Sequence, residues 1–275
     1  MEYKRINVEK MTPVIGAEIS GVDLSKPLDE DSLKEVRQAL IENLVIFFRD
    51  QEMDREQHKA LGRQFGALHI HPAAPSPEGH PEILVIHADE KSTYVAGNGW
   101  HSDVSCDPEP PMGSILHMHT VPPSGGDTMF ANMYAAYEDL SETMKVFLGG
   151  LTAYHSSDHV YRGRYKSFGI DDSGREYPRS EHPVVRTHPE SGRKGLFVNR
   201  GFTTEIKGMT GRESRALLDF LFEHMENPRY HCRFRWAANS VAFWDNRCTQ
   251  HYAVWDYYPA VRHGLRVTIQ GEKPV

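Results

Sequence analysis

Three side chains carry the first chemistry that the sequence suggests. His101 and Asp103 stand two residues apart in GNGWHSDVSCDP, residues 97–108, a run almost free of aliphatic side chains. On an extended strand, residues i and i+2 project to one side, so this imidazole and carboxylate can aim at one point. A neutral nitrogen ligand beside an anionic oxygen ligand suits a divalent metal. A second histidine would complete a 2-His-1-carboxylate set, which leaves positions on the ion open and is typical of non-haem Fe(II) oxygenases. His251 supplies it, in WDNRCTQHY after a short apolar run. Arg262 and Arg266 follow in RHGLRVTIQG. An arginine near a metal is a ready bidentate partner for a carboxylate or another oxyanion. The pair therefore suggests two anion sites, or one anion site and one structural ion pair.

Other histidines compete on spacing alone. His69 and His71 in HIHP, and His117 and His119 in HMH, are also i, i+2 pairs, but neither comes with a carboxylate at matching spacing. For these the commoner reading is a histidine exposed on a strand. Trp100 and Trp244 read as core packing, and Cys106 as a small buried filler. Asp245, Asn246 and Arg247 read as a brace for the turn before His251, a supporting role that metal-ligating histidines usually need.

The elements that must position these residues are many short strands and a few helices. Residues 29–44 place Leu33, Val36, Leu40, Ile41 and Leu44 on one helical face, with Asp29 or Asp31 as cap. Residues 54–66 read as a second helix closed by Gly66. Residues 132–151 read as a third, ending at a Gly-Gly pair. Residues 210–228 read as a fourth, with Thr210 and Glu213 in a capping-box pattern and Pro228 beyond its end. Strands are expected at 45–51, 82–88, 113–121, after the turn PPSGGDTMF, and at 195–199, 240–246 and 264–271. They do not alternate strictly with helices as in a doubly wound fold. A mainly β chain with helical insertions, built as a jelly roll, is the better expectation.

Composition narrows the class. The 275 residues allow a core without staples, and 39% hydrophobic with 25% charged residues is ordinary for a folded domain. A formal charge of −7 argues against nucleic acid as the main partner. Three widely spaced cysteines form no C-x-x-C pair and suggest a reducing compartment. No apolar segment reads as a secretion signal or a membrane span, so the expectation is a cytoplasmic protein with no membrane partner.

Taken together, W-H-x-D, G-G-D-T and W-D-N-R-x-x-x-H in this order, with IGAEISGVDLSKPL, FGALHIHP and RHGLRVTIQGEKP, make the chain resemble the taurine dioxygenase family of Fe(II)- and 2-oxoglutarate-dependent oxygenases. The resemblance spans nearly the whole length and implies one catalytic domain over residues 1–275 with a double-stranded β-helix (jelly-roll) core. It implies His101, Asp103 and His251 as iron ligands, and Thr128 and Arg262 as the residues that hold the distal carboxylate of 2-oxoglutarate. His71 and Arg266 match positions that contact a substrate sulfonate, while Val104, Tyr161 and Phe202 match the pocket lining. O2 would be consumed, 2-oxoglutarate would yield succinate and carbon dioxide, and a C–H bond of a small-molecule substrate would be hydroxylated. With Asp103 in place, hydroxylation rather than halogenation is implied. Relatives form dimers and tetramers, which implies a homo-oligomer.

Two positions depart from the taurine pattern. Ala74 stands where a tyrosine would meet the taurine amine, and Gly97 where an asparagine is expected. The anion-reading side is kept and the amine-reading side is lost. The substrate expected is therefore a larger anion without an amine: a sulfonate, a sulfate ester or a carboxylate. Two rivals remain, a metal-dependent hydrolase on the same triad and a non-catalytic jelly-roll binding protein. Arg262 with Thr128 argues against the first, since a hydrolase needs no second carboxylate clamp. The intact triad argues against the second. Segments 72–98 and 155–182 are expected to cover the site.

Overall fold

The computed structural model describes residues 2–71, 74, 76–164 and 171–275. In chain order it contains β1 (Asn7–Lys10), β2 (Ala17–Ser20), α1 (Glu30–Asn43), β3 (Val45–Phe48), α2 (Arg55–Arg63), β4 (Ile83–Ala88), β5 (Gly113–Thr120) and β6 (Thr128–Asn132). Then come α3 (Met133–Glu138), α4 (Glu142–Leu148), β7 (Thr152–Ser156), α5 (Asp158–Tyr161), β8 (Arg179–Pro183), β9 (Val185–Thr187), β10 (Lys194–Leu196) and β11 (Thr203–Ile206). Last are α6 (Gly211–Met225), β12 (His231–Phe234), β13 (Ser240–Asp245), β14 (Thr249–Ala253) and β15 (Arg262–Ile269). Mainly β with helical insertions is thus the observed class, as the strand pattern led us to expect.

The large sheet has seven strands in the order β1-β2-β3-β13-β5-β15-β4, antiparallel except for β2 beside β3. A smaller sheet, β12-β6-β14, lies against its inner face. Side chains alternate across a strand, and β13 shows the consequence. Ala242 and Trp244 point inward to Phe47, Phe130 and Phe234. Val241 and Phe243 point outward to Val36 and Leu40 of α1 and Leu61 of α2. A third cluster packs α3, α4 and α6 on the far side of the small sheet. Along β15 the same alternation sends Leu265, Val267 and Ile269 outward to the helices, and Arg262 and Arg266 inward to the cavity between the sheets.

Helix signals read true where a side chain caps the first turn. The Asp29 carboxylate accepts from Ser32 N at 2.8 Å. Thr210 and Glu213 form the expected reciprocal box at the start of α6. The single helix expected over 132–151 is two. Asn132 caps α3, and Ser141 caps α4 by accepting from Met144 N at 3.2 Å. A serine that bonds the backbone ahead of it restarts a helix rather than continuing one. Strand 195–199 shrinks to Lys194–Leu196, and α2 ends at Arg63, three residues before Gly66.

The turn between β13 and β14 carries the brace. Asp245 is fully buried, and its carboxylate accepts from His188 Nε2 at 3.0 Å and from Arg247 N, Nε and an Nη at 2.9, 2.9 and 2.7 Å. Arg247 also donates to Glu190 at 2.7 Å. Burial alone would raise the Asp245 pKa, but Arg247 and His188 hold it well below the usual carboxylate range. A carboxylate depressed on folding contributes stability above its unfolded pKa, about 3.9, and loses it as the pH falls through the lower folded value. Replacing Asp245→Asn leaves Arg247 buried with half its partner. It should cost about 3 kcal/mol, read as a lower denaturant midpoint at pH 7, and the gap to wild type should close under acid conditions. A closer approach constrains β15: a Cβ on Gly264 would sit 2.6 Å from the His117 carbonyl oxygen. Gly264→Ala should therefore lower the unfolding midpoint by the equivalent of about 1–3 kcal/mol.

Candidate metal centre and active site

The two histidines expected as ligands meet through their backbones. His101 N donates to His251 O at 3.1 Å and His251 N to His101 O at 2.8 Å, an isolated bridge between the 97–101 segment and β14. Their ring centres lie 4.1 Å apart. Gly201 allows this packing, since a Cβ there would meet His101 Cβ at 2.8 Å. His101 Nδ1 donates to Gly99 O at 2.8 Å, which fixes the tautomer and leaves the Nε2 lone pair toward Asp103. His251 is buried and His101 half-buried, and desolvation lowers both pKa values, so both stay neutral and able to bind metal.

Asp103 is not on a strand beside His101, as the i, i+2 argument supposed. It opens a turn, and the next residue, Val104, takes φ +47°. Convergence comes instead from tertiary contacts. Asp103 N donates to Asn246 Oδ1 at 3.3 Å, Ser102 Oγ to Asn246 O at 2.8 Å, and Ser114 Oγ to Asp103 Oδ2 at 2.8 Å. Trp244 Nε1 holds the same Asn246 oxygen at 3.0 Å, so WDN supports both halves of the triad. The result places Asp103 Oδ1 at 3.8 Å from His101 Nε2 and 3.8 Å from His251 Nε2. One donor atom from each residue lies within 4.8 Å of the others, a span that a single divalent ion can bridge.

A cavity of about 410 Å³ opens beside this triad. Arg262 reaches it from β15 and Thr128 from β6. Arg262 is 2% exposed, donates to Gly126 O at 3.1 Å and to Thr128 Oγ1 at 3.4 Å, and has no carboxylate within 4.0 Å among the described residues. Burial pulls its pKa down. Thr128 Oγ1 already accepts from Trp236 Nε1 at 3.0 Å, which leaves its own proton for an acceptor in the cavity. A buried guanidinium without an anion is costly, and a carboxylate fits the gap.

The expected substrate residues are divided. Val104, Tyr161, Phe202 and Cys106 form one apolar cluster, and the first three line the cavity. His71 lines it too, accepting from Ala74 N at 2.9 Å through Nδ1 and lying 3.4 Å from the Tyr161 hydroxyl through Nε2. Burial and the nearby Arg266 push the His71 pKa down to about 3. Of the two roles that the sequence left open for Arg266, the structure shows the ion pair, made at the cavity wall. Arg266 faces the cavity, yet Nη1 donates to Asp103 Oδ1 at 2.7 Å, and Nε is buried without a partner among the described residues. Gly97 lies at φ +82° with His101 Cε1 only 3.1 Å from where a Cβ would be, so this position packs against the His101 ring. The covering segments also meet here: residues 95–100, 159–161 and 164 line the cavity, and Tyr94 Oη donates to Arg164 O at 3.0 Å. Parts of both expected lids, residues 72, 73, 75 and 165–170, lie outside the described residues. Sequence reasoning missed Arg164 and Arg200 at the cavity wall, where only tertiary placement could reveal them.

Comparisons with known proteins agree with this geometry. A family model described as taurine catabolism dioxygenase TauD, TfdA family matches residues 7–268. An alpha-ketoglutarate-dependent sulfate ester dioxygenase of Pseudomonas putida is 37% identical over 280 residues, covering 98% of this chain and 91% of its own. The crystal structure of a taurine dioxygenase from Burkholderia xenovorans superposes with a TM-score of 0.86 at 39% identity, covering 99% of this chain and 91% of that one. The crystal structure of AAD-2 in complex with Mn(II) and N-oxalylglycine superposes with a TM-score of 0.81 at 30% identity, covering 98% of each chain. The chain belongs to the taurine catabolism dioxygenase family and is a non-haem iron dioxygenase that uses 2-oxoglutarate and O2.

Proposed function

We propose that the whole chain, residues 1–275, acts as one catalytic domain that hydroxylates a small organic anion, with His101 Nε2, Asp103 Oδ1 and His251 Nε2 as iron ligands. The observation that carries this reading is the pairing of a convergent neutral–anionic–neutral donor set with a buried, anion-free Arg262 in one cavity. When bound, iron and 2-oxoglutarate supply the oxidising chemistry, with O2 consumed and 2-oxoglutarate converted to succinate and carbon dioxide. Everything else falls to the protein. Arg262 and the Thr128 hydroxyl take the distal carboxylate of the cosubstrate. Ser114 holds the second Asp103 oxygen, while Oδ1, which also accepts from Arg266, faces the two imidazoles and would be the one offered to the ion. Trp244, Phe202 and Val104 wall the reacting region with apolar surface and exclude water.

The substrate reading is a sulfonate, sulfate ester or carboxylate whose anionic head meets Arg266 and the neutral His71 and whose chain runs along Val104, Tyr161 and Phe202. Support comes from the names of relatives that act on sulfate esters and taurine. It also comes from Ala74 and Gly97, which offer no side-chain oxygen to an amine. The reading extends to a homo-oligomer in a reducing cytoplasm. Its supports are three free, buried cysteines and the exposed Val146, Phe147 and Phe220. No helix among the described residues is long and apolar enough to cross a membrane.

Anaerobic titration with Fe(II) and then 2-oxoglutarate should produce a visible metal-to-ligand charge-transfer band. His101→Ala and Asp103→Ala should abolish it, and its absence in wild-type protein that holds iron would sink the assignment in favour of the hydrolase reading. Arg262→Ala should raise the 2-oxoglutarate concentration for half-maximal band on the order of 100-fold, the loss of one buried charge-assisted pair. Steady-state kinetics should separate the second arginine: Arg266→Ala should raise KM for a sulfonate or sulfate ester about tenfold or more, and longer-chain sulfonates or sulfate esters should outperform taurine. Efficient turnover of taurine, with none of longer anions, would overturn the substrate reading.

A further inference from the structure

Away from the catalytic cavity, the densest group of unsatisfied buried nitrogens lies on the outer face of the large sheet. Ser114 and Leu116 of β5 face the triad and cavity, so the alternation turns His117 and His119 toward the helices. His58 of α2 lies beside them. His58 and His117 are each 1% exposed. His58 Nδ1, both ring nitrogens of His117 and His119 Nε2 are buried without a hydrogen-bond partner, four of eleven such atoms among the described residues. The Gln51 backbone is close to His117 but outside hydrogen-bond geometry. Buried polar groups in native proteins are satisfied, by an unseen water or ion where no protein atom serves.

The His58 tautomer and two of the three ring spacings suit an ion. His58 Nε2 faces the Ile115 carbonyl oxygen at 3.1 Å and must carry its proton there, which leaves the Nδ1 lone pair unused. A ring N–H on a backbone carbonyl with the other nitrogen free is the usual arrangement of a metal-ligating histidine. His117 and His119 have ring centres 4.2 Å apart, against 4.1 Å for His101 and His251. His58 and His117 are 6.0 Å apart. Imidazoles sharing one ion at a metal–nitrogen distance of about 2.1 Å place their ring centres within roughly 6.5 Å. Burial and mutual repulsion keep the rings neutral, His58 down to about 3 and His117 down to about 4. The other three-residue cluster, His188, Asp245 and Cys248, has no such capacity: His188 Nε2 donates to Asp245, and Nδ1 accepts from Glu190 N and Ser191 N.

We propose that His58, His117 and His119 form a second metal site, for a borderline divalent ion such as Zn(II), that ties α2 to β5 on the face of the sheet away from the cavity. Unlike the catalytic set, the three donors are not already within 4.8 Å of one another, so the His117 ring, which no hydrogen bond among the described residues holds, and the His119 ring turn about χ2 to close the site on the anchored His58. Arg55 acts on His119 from nearby, and the site supplies no counter-charge, which limits it to ions that accept neutral nitrogen ligands. The test is a count of bound Zn(II) per chain after equilibrium dialysis at micromolar free metal, for wild type, His119→Gln, His58→Gln and Asp103→Ala. His119 is only partly buried, so its variant reads the site even if His58→Gln fails to fold. Both histidine variants should bind one ion fewer than wild type, while Asp103→Ala, which damages the catalytic set, should keep the histidine-dependent ion. Equal counts in wild type and His119→Gln would overturn the proposal, and so would loss of every ion in Asp103→Ala.

Discussion

Everything in the cavity is arranged around one buried carboxylate. Asp103 is 3% exposed, and taking an anion out of water costs several kcal/mol unless neighbours compensate. Burial alone would push its proton affinity up. Arg266, with the Ser114 hydroxyl donating to Oδ2, reverses that and holds it ionised, well below the ordinary carboxylate range. The groups that fix it arrive from different elements: Arg266 from β15 and Ser114 from β5 donate to the carboxylate, His251 of β14 faces Oδ1, and Asn246, in the turn between β13 and β14, accepts from the Asp103 backbone N–H. The sandwich must fold in its full register before the carboxylate is tolerable. Once it is, the same contacts aim Oδ1 at the two imidazoles.

The chain meets this demand by dividing β15 and β5 between two tasks. Outward residues of β15 hold α1 and α2 against the sheet by apolar burial, while inward residues carry charge. A slip of one residue would expose Leu265 and Val267 to the cavity and send both arginines into the helix layer. Gly264 enforces the register, because no side chain fits between it and the His117 carbonyl. Stability and site geometry are therefore set by the same pairing.

Much of this was legible in the sequence because the informative features are local. Capping residues predicted the starts of α1 and α6 within a residue, and the motifs around His101, Asp103 and His251 picked out three residues that the fold brings together. What failed was non-local. The i, i+2 argument paired His101 with Asp103, which the fold does bring together, but by another route, since a turn and Asn246, 143 residues away, place Asp103. The break between α3 and α4 turned on whether Ser141 would cap or continue a helix, which propensity alone does not decide. His117 was expected on an exposed surface and is 1% exposed, because nothing in HMH reveals that α2 folds over it. Arg266 looked like either a substrate contact or an ion pair, and only the three-dimensional placement shows it doing the second while facing the space of the first.

Charge arithmetic links these observations to the chemistry. With neutral histidines, the protein brings one negative group, Asp103, and two positive ones, Arg262 and Arg266, to the buried part of the cavity. The empty site is thus positive by one unit. Fe(II) adds two positive charges and 2-oxoglutarate two negative ones, which returns the total to plus one. A substrate with a single negative charge brings it to zero. A neutral or cationic molecule would leave an uncompensated charge in a low-dielectric space, at a cost that rises as water is excluded. On the proposed assignment, the preference for an anion is therefore built into the number of buried charges as well as into the position of Arg266.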